Sequence, residues 1–140
     1  MLGREDVAEG ENVSVDLTLL VWSVALTIAQ AVVGATGGML QVGLPALAGN
    51  RERLPEISGW AGRAQRAHRN MLESLVLFAA LVLVAHVAGK ANATTALGAQ
   101  LFFWARLIYA GVYIAGVPWL RTGVWAVSIV GLLLIFSQLL

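Results

Sequence analysis

No charged residue occurs between Leu17 and Asn50, a run of 34 residues, and about 20 apolar residues suffice to cross a hydrocarbon core. The run predicts a first helix from Val15 to about Val42 that gives way to a loop at Gly43 and Pro45. Thr27, Gln30, Gly34, Gly37 and Gln41 fall along one side of it. Small residues at this spacing let helices approach closely, and amides can bond across the interface. Packing is the favoured reading for the glycines, whereas Gln30 and Gln41 suit packing or ligand contact equally. Gly43 to Trp60 has loop composition, with two of the three prolines and a mixed charge cluster. A second helix is expected from about Gly59, capped by Ser58, to Gly89. A short turn at Lys90 and Asn92 then leads to a third from about Ala93 to Val117. Pro118 is expected to end that helix, and a tight connection holding Trp119, Arg121 and Thr122 to lead into a fourth that runs to Leu140. The predicted architecture is an all-α integral membrane four-helix bundle over residues 16–140. Residues 1–15, polar and acidic without helical periodicity, are expected to form an exposed tail.

One stretch breaks the apolar pattern. In GRAQRAHRNMLE, Gly62 to Glu73, a rotation of 100° per residue sets Arg63, Arg66, Asn70 and Glu73 within about a quarter turn of one another. Arg69 lies at the edge of that face, and His68 points the other way. From Ser74 the helix continues without Asp, Glu, Lys or Arg to Gly89, so its opening half carries a charged face and its closing half carries none. Ionisable groups at membrane depth face a bundle interior or a wet cavity and mark a site by default.

Composition agrees with the membrane reading: 59% of the 140 residues are hydrophobic and 12% are charged. The absence of cysteine excludes disulfides, thiolate metal sites and a protein thiol nucleophile, so thiol chemistry requires a cosubstrate. The two histidines stand eighteen residues apart on one helix and cannot share a metal within it, so no metal is expected. Nothing in the sequence points to nucleic acid. Five arginines between Arg51 and Arg69, joined by Arg121, face Lys90 and the acid-rich N-terminus across the membrane. The positive-inside rule then sets both termini outside the cytoplasm.

At 1.5 Å per residue, Glu73 lies about 15 Å along its helix from Arg63, and Arg106 reaches a similar depth on the third helix. An ion pair between them, completed by Asn70 or Gln30, is the expected local arrangement, since an unpaired charge there would cost several kcal/mol. Arg106, Tyr109 and Tyr113 form one stripe, with the tyrosines facing Asn70, Arg69 and Arg66. A purely structural ion-pair seam would need fewer arginines than this helix carries. Surplus positive charge in a half-buried cleft therefore reads as an anion site.

The run RAQRAHRNMLES, the third-helix segment RLIYAGVYIAG and the Pro-Trp-Leu-Arg-Thr turn resemble the MAPEG family, the membrane-associated proteins of eicosanoid and glutathione metabolism. The resemblance covers about residues 15 to 140 and is to a bacterial-type member, which implies the bacterial inner membrane. It further implies a homotrimer with glutathione, as cosubstrate, held between subunits near the cytoplasmic face, and membrane lipids and a lipophilic small molecule as partners. By match to the family pattern, Arg66, Arg69, Asn70 and Glu73 would contact the tripeptide. Arg106 and Tyr113 would support it from the third helix, with Tyr109 of the same stripe joining them in the cofactor-binding set, and Arg121 would face its sulfur as the catalytic residue. The implied activity is that of a glutathione transferase or peroxidase on lipophilic electrophiles. The alternatives are a non-catalytic lipid-binding or scaffolding trimer, and a proton-coupled transporter titrating Glu73. The chain departs from characterised eukaryotic members at Tyr109, often histidine there, at Thr122, where they carry serine, and at Trp125, where they commonly place tyrosine. Gln41 is its nearest polar group to a basic residue that they use late in the first helix.

Overall fold

The computed structural model describes residues 4–140, with side chains described from Val15 onward. Its helices are α1 (Arg4–Val42), α2 (Leu44–Ala48), α3 (Gly59–Val87), α4 (Ala93–Ala115) and α5 (Pro118–Ser137). Four contain apolar stretches long enough to cross a membrane: Val15–Val42, Gly59–Val87, Ala93–Ala115 and Pro118–Ser137. Two sequence expectations are corrected at the first span. Helix α1 begins at Arg4 rather than Val15, since residues 4–14 contain no proline to stop it. The loop after Val42 also holds one short helix, α2, started by Pro45 in its first turn. The expected exposure of the 1–15 tail lies outside the side chains described.

Helix α1 turns its polar and small residues inward. Asp16, Ser23, Thr27 and Gln30 are buried, as are Gly34, Gly37 and Gly38, whereas Val21, Trp22, Ile28, Val32 and Leu40 are each more than half exposed. Lipid is as apolar as leucine, so a membrane helix gains nothing by hiding leucine and much by pairing its polar groups. The stripe faces α3: Gly34 O accepts from Gln65 Nε2 at 3.1 Å, and Gly37 lies against Trp60 and Ala61. Gln41 clasps the backbone of Ser58, donating to its carbonyl at 2.7 Å and accepting from its N–H at 3.0 Å. Ser58 is the N-cap of α3, but its own hydroxyl makes no cap bond, so Gln41 supplies the order that was expected of Ser58.

Helix α4 opens on a capping box, Asn92 with Thr95, and closes at Gly116 in the left-handed conformation (φ 82°). The backbone then turns at once into α5. Pro118 therefore starts a helix rather than following a loop, since a first-turn proline has the required φ and lacks only a donor that would be orphaned anyway. Trp119, Arg121 and Thr122, expected in a connection, sit in the first turns of α5.

The core joins Met71, Phe78 and Val82 of α3 to Ala99 and Phe102 of α4 and to Leu132 and Ile135 of α5. The Phe78 and Phe102 rings stack at 4.1 Å. Helices α4 and α5 meet backbone to backbone at Gly98 and Gly131, where an added Cβ on either glycine would lie 2.6 Å from the other's carbonyl oxygen. Neither backbone can give way as a side chain could. Gly131→Ala is therefore expected to destabilise the bundle by about 2 kcal/mol, within the range for overpacking, and thermal unfolding in mild detergent would measure it. Gly123→Ala, which meets nothing within 4 Å, is the control and should be near neutral.

Candidate functional site

The opening half of α3 presents its charged face toward α4 and the first turns of α5. Arg66, Arg69, Asn70 and Glu73 of α3, Tyr109 and Tyr113 of α4, and Arg121 of α5 together line one cleft of about 290 Å³. The α3 residues arrive by the 100° rotation, and the two tyrosines stand one helical turn apart, with ring centroids 5.5 Å from each other and near-perpendicular planes. Arg121 closes the cleft from α5, its guanidinium 4.6 Å from the centre of the Tyr113 ring. A neighbouring cleft of about 270 Å³ shares Asn70, Tyr109 and Arg121 and adds Thr122 and Trp125. Each is close to the small end of the range for ligand sites, about 300–1,000 Å³.

Arg106 lies beneath this surface and is 1% exposed. Its Nη2 donates to Asn70 Oδ1, and its guanidinium carbon stands 4.4 Å from the centre of the Tyr109 ring. Among the described residues, Arg106 Nε and Nη1 have no hydrogen-bond partner. The expected ion pair between Glu73 and Arg106 is not formed: the one approach of a basic side chain to a carboxylate within 4.0 Å, among the described residues, is that of the His86 imidazole to Asp16. Equal depth on two helices does not ensure equal azimuth, and the shorter Asn70, one turn nearer, takes the position facing Arg106. Glu73 stays exposed at the rim of the cleft.

Arg63, placed by the sequence on the same charged face, is diverted. Its Nε donates to the carbonyl of Ile114 at 2.9 Å, satisfying one of the orphaned acceptors at the C-terminal end of α4. The cleft thus holds three guanidinium groups, from Arg66, Arg69 and Arg121, against the single carboxylate of Glu73. Such a surface suits a ligand bearing more than one anionic group and one cationic group. His68 lies outside it, in an adjoining cavity with Arg51 and Gln65 that shares Arg69 with the cleft. No group of three or more potential metal ligands occurs among the described residues.

Sequence reasoning missed a second polar cluster at the other end of the bundle. Asp16, counted with the acidic N-terminus, is fully buried, with Oδ2 2.8 Å from Thr95 Oγ1 and 3.9 Å from His86 Nε2. The one available signal was that Asp16 adjoins the uncharged run and lies on the same side as Ser23, Thr27 and Gln30.

A family model, described as the MAPEG family, matches residues 16–140. No curated protein and no solved structure matches the chain.

Proposed function

The chain belongs to the MAPEG family and is a multi-pass integral membrane protein, and from that premise we propose that the arginine cleft binds glutathione and presents its sulfur to a lipophilic electrophile from the bilayer. Family membership places it at the level of glutathione- or eicosanoid-related membrane proteins. The observation that carries the finer reading is the set of three arginines and one glutamate around a single cleft. Glutathione has two carboxylates and one ammonium group, so two of the guanidinium groups match its carboxylates and Glu73 matches its ammonium. Arg121 remains for the sulfur. The thiolate would form a C–S bond as a leaving group departs with its electron pair; on a hydroperoxide it would attack the terminal oxygen, break the O–O bond to release the alcohol, and pass as a sulfenic acid to a second glutathione, which forms the disulfide and releases water.

Arg66, Arg69 and Glu73 are exposed in the single chain, so the cleft is open along one side, which supports closure by a second copy in a homotrimer. The arginine excess at this end of the bundle supports a cytoplasmic cleft and termini outside the cytoplasm. A rival occupant, an anionic lipid headgroup, fits the same charge.

Thermal unfolding of the detergent-purified protein separates them. Glutathione at about ten times its dissociation constant should stabilise the folded state by about 1.4 kcal/mol, and Arg66→Ala with Arg69→Ala should remove that gain. Stabilisation by phosphatidylglycerol with none from millimolar glutathione would overturn the transferase reading in favour of the lipid.

A further inference from the structure

The buried cluster of Asp16, Thr95 and His86 takes no part in the arginine cleft. His86 lies thirteen residues beyond Glu73 on α3, about 20 Å at 1.5 Å per residue. Its hydrogen bonds do not balance as drawn from one ionised carboxylate. Thr95 Oγ1 accepts from the Asn92 N–H at 2.9 Å and stands 2.8 Å from two further oxygens, the carbonyl of Asn92 and Oδ2 of Asp16. A hydroxyl has one proton to donate. It can serve one of those oxygens, and the other 2.8 Å contact then sets lone pair against lone pair. In addition, Asp16 Oδ1 and His86 Nε2 are buried with no hydrogen-bond partner among the described residues.

One added proton on Asp16 resolves the conflict at Thr95. On Asp16, it is donated to Thr95 Oγ1, which passes its own proton to the Asn92 carbonyl, and the cluster is neutral. Placed on His86 instead, it would balance the charge across 3.9 Å but would leave Thr95 with one proton for two oxygens. Without that proton, a fully buried carboxylate stands uncompensated, the arrangement that low-dielectric surroundings penalise most.

We infer that Asp16, Thr95 and His86 form a proton-gated latch, closed while the cluster holds one proton and loosened when it is lost, which clasps α1 to α3 and α4 opposite the cleft. The elements around it are tied through the same residues. Asn92 Nδ2 donates to Gln138 Oε1 at 2.8 Å, bringing in the end of α5. Lys90, in the turn between α3 and α4, donates to the Leu139 carbonyl at 3.3 Å rather than to Asp16. Among the described residues, the titratable group shown against Asp16 is thus His86 of α3, and α4 contributes the uncharged Thr95. The sign follows: lowering the pH loads the proton and tightens the latch, and raising it loosens the latch.

Hydrogen exchange of the full chain in nanodiscs of neutral lipid tests this, with rates corrected for the intrinsic pH dependence of the chemistry. From pH 6 to pH 8, exchange at residues 16–20 and 93–97 should rise at least ten-fold, since loss of one proton raises the open population by up to about ten-fold for each unit of pH, while the arginine end stays constant. Asp16→Asn supplies an N–H to Thr95 at any pH, so its protection at pH 8 should equal that at pH 6. A flat profile in the unmodified protein, or an unchanged ten-fold rise in Asp16→Asn, would overturn the latch. If Asp16→Asn does not fold, His86→Gln decides: removing the imidazole should displace the pH at which protection is lost, and a superimposable profile is equally fatal.

Discussion

Asn70→Leu is expected to destabilise the bundle by about 3 kcal/mol in detergent, more than removal of the buried arginine that Asn70 serves. Arg106 is almost wholly buried, and Asn70 Oδ1 is the acceptor it has found; the Tyr109 ring supplies the remaining compensation. Leucine keeps the volume of Asn70 and withdraws the acceptor, which leaves a charge without a partner in low dielectric. Arg106→Leu removes the charge as well, and replacing a buried ion by an apolar group of similar size is often close to neutral, so its expected cost is only about 1 kcal/mol, from the orphaned amide of Asn70. Asn70→Asp keeps an acceptor and should fall within about 1 kcal/mol of the unmodified protein. Glu73→Gln should be near neutral, within about 0.5 kcal/mol, because Glu73 sits exposed on the rim. Denaturation of the four variants in one detergent yields the order directly. If Glu73→Gln proved the costliest, Glu73 would be the true partner of Arg106 and the register of α3 against α4 would have to change.

A near-neutral Glu73→Gln is the opposite of what the ion pair expected from the sequence implies, and the reason shows where its legibility stops. Periodicity and charge-free runs fixed the four spans to within a few residues, since hydropathy over 20 residues is a large signal. The rotation of 100° per residue likewise grouped Arg66, Asn70 and Glu73, because it depends on one helix only. Pairing across helices depends on azimuth and crossing angle as well as depth, and depth was all that counting from Arg63 and Val117 could provide. Arg63 illustrates the same gap: its helix face was legible, but its capture by the Ile114 carbonyl depends on how α4 ends. Pro118 was read as a terminator and acts as an initiator, roles that differ only in which side of the residue is helical. Asp16 adjoins the acidic N-terminus in sequence, although its side chain belongs with Thr95 and His86, 79 and 70 positions away.

Arg121→Ala is expected to lower conjugation activity toward an aromatic halide at pH 7 about twenty-five-fold, the loss of thiolate for a two-unit rise in thiol pKa from about 6.5 to 8.5, while glutathione still binds through Arg66, Arg69 and Glu73. The expectation rests on the function proposed above and on the place of Arg121 in the fold. Its guanidinium lies over the Tyr113 ring, at the junction of the two neighbouring clefts, in the opening turns of α5. The N-terminal end of a helix carries partial positive charge, and the N-cap, Val117, has no side chain able to satisfy the free N–H groups there. A developing anion would meet both the arginine and that end. A free thiol has a pKa of about 8.5 and is only a few per cent ionised at pH 7. Lowering its pKa by two units needs about 2.7 kcal/mol of preferential interaction with the thiolate, which a guanidinium in a partly dehydrated cleft can supply. The unmodified protein mixed with glutathione near neutral pH should therefore show ultraviolet thiolate absorbance, and Arg121→Ala should lose it without losing the thermal stabilisation by the tripeptide. Arg121→Lys keeps the charge but gives up the planar stacking on Tyr113, so it should retain part of the signal. If Arg121→Ala keeps both the thiolate absorbance and full activity, Arg121 serves only to anchor the start of α5, and the sulfur must be met by Arg106 or by a group from a second copy.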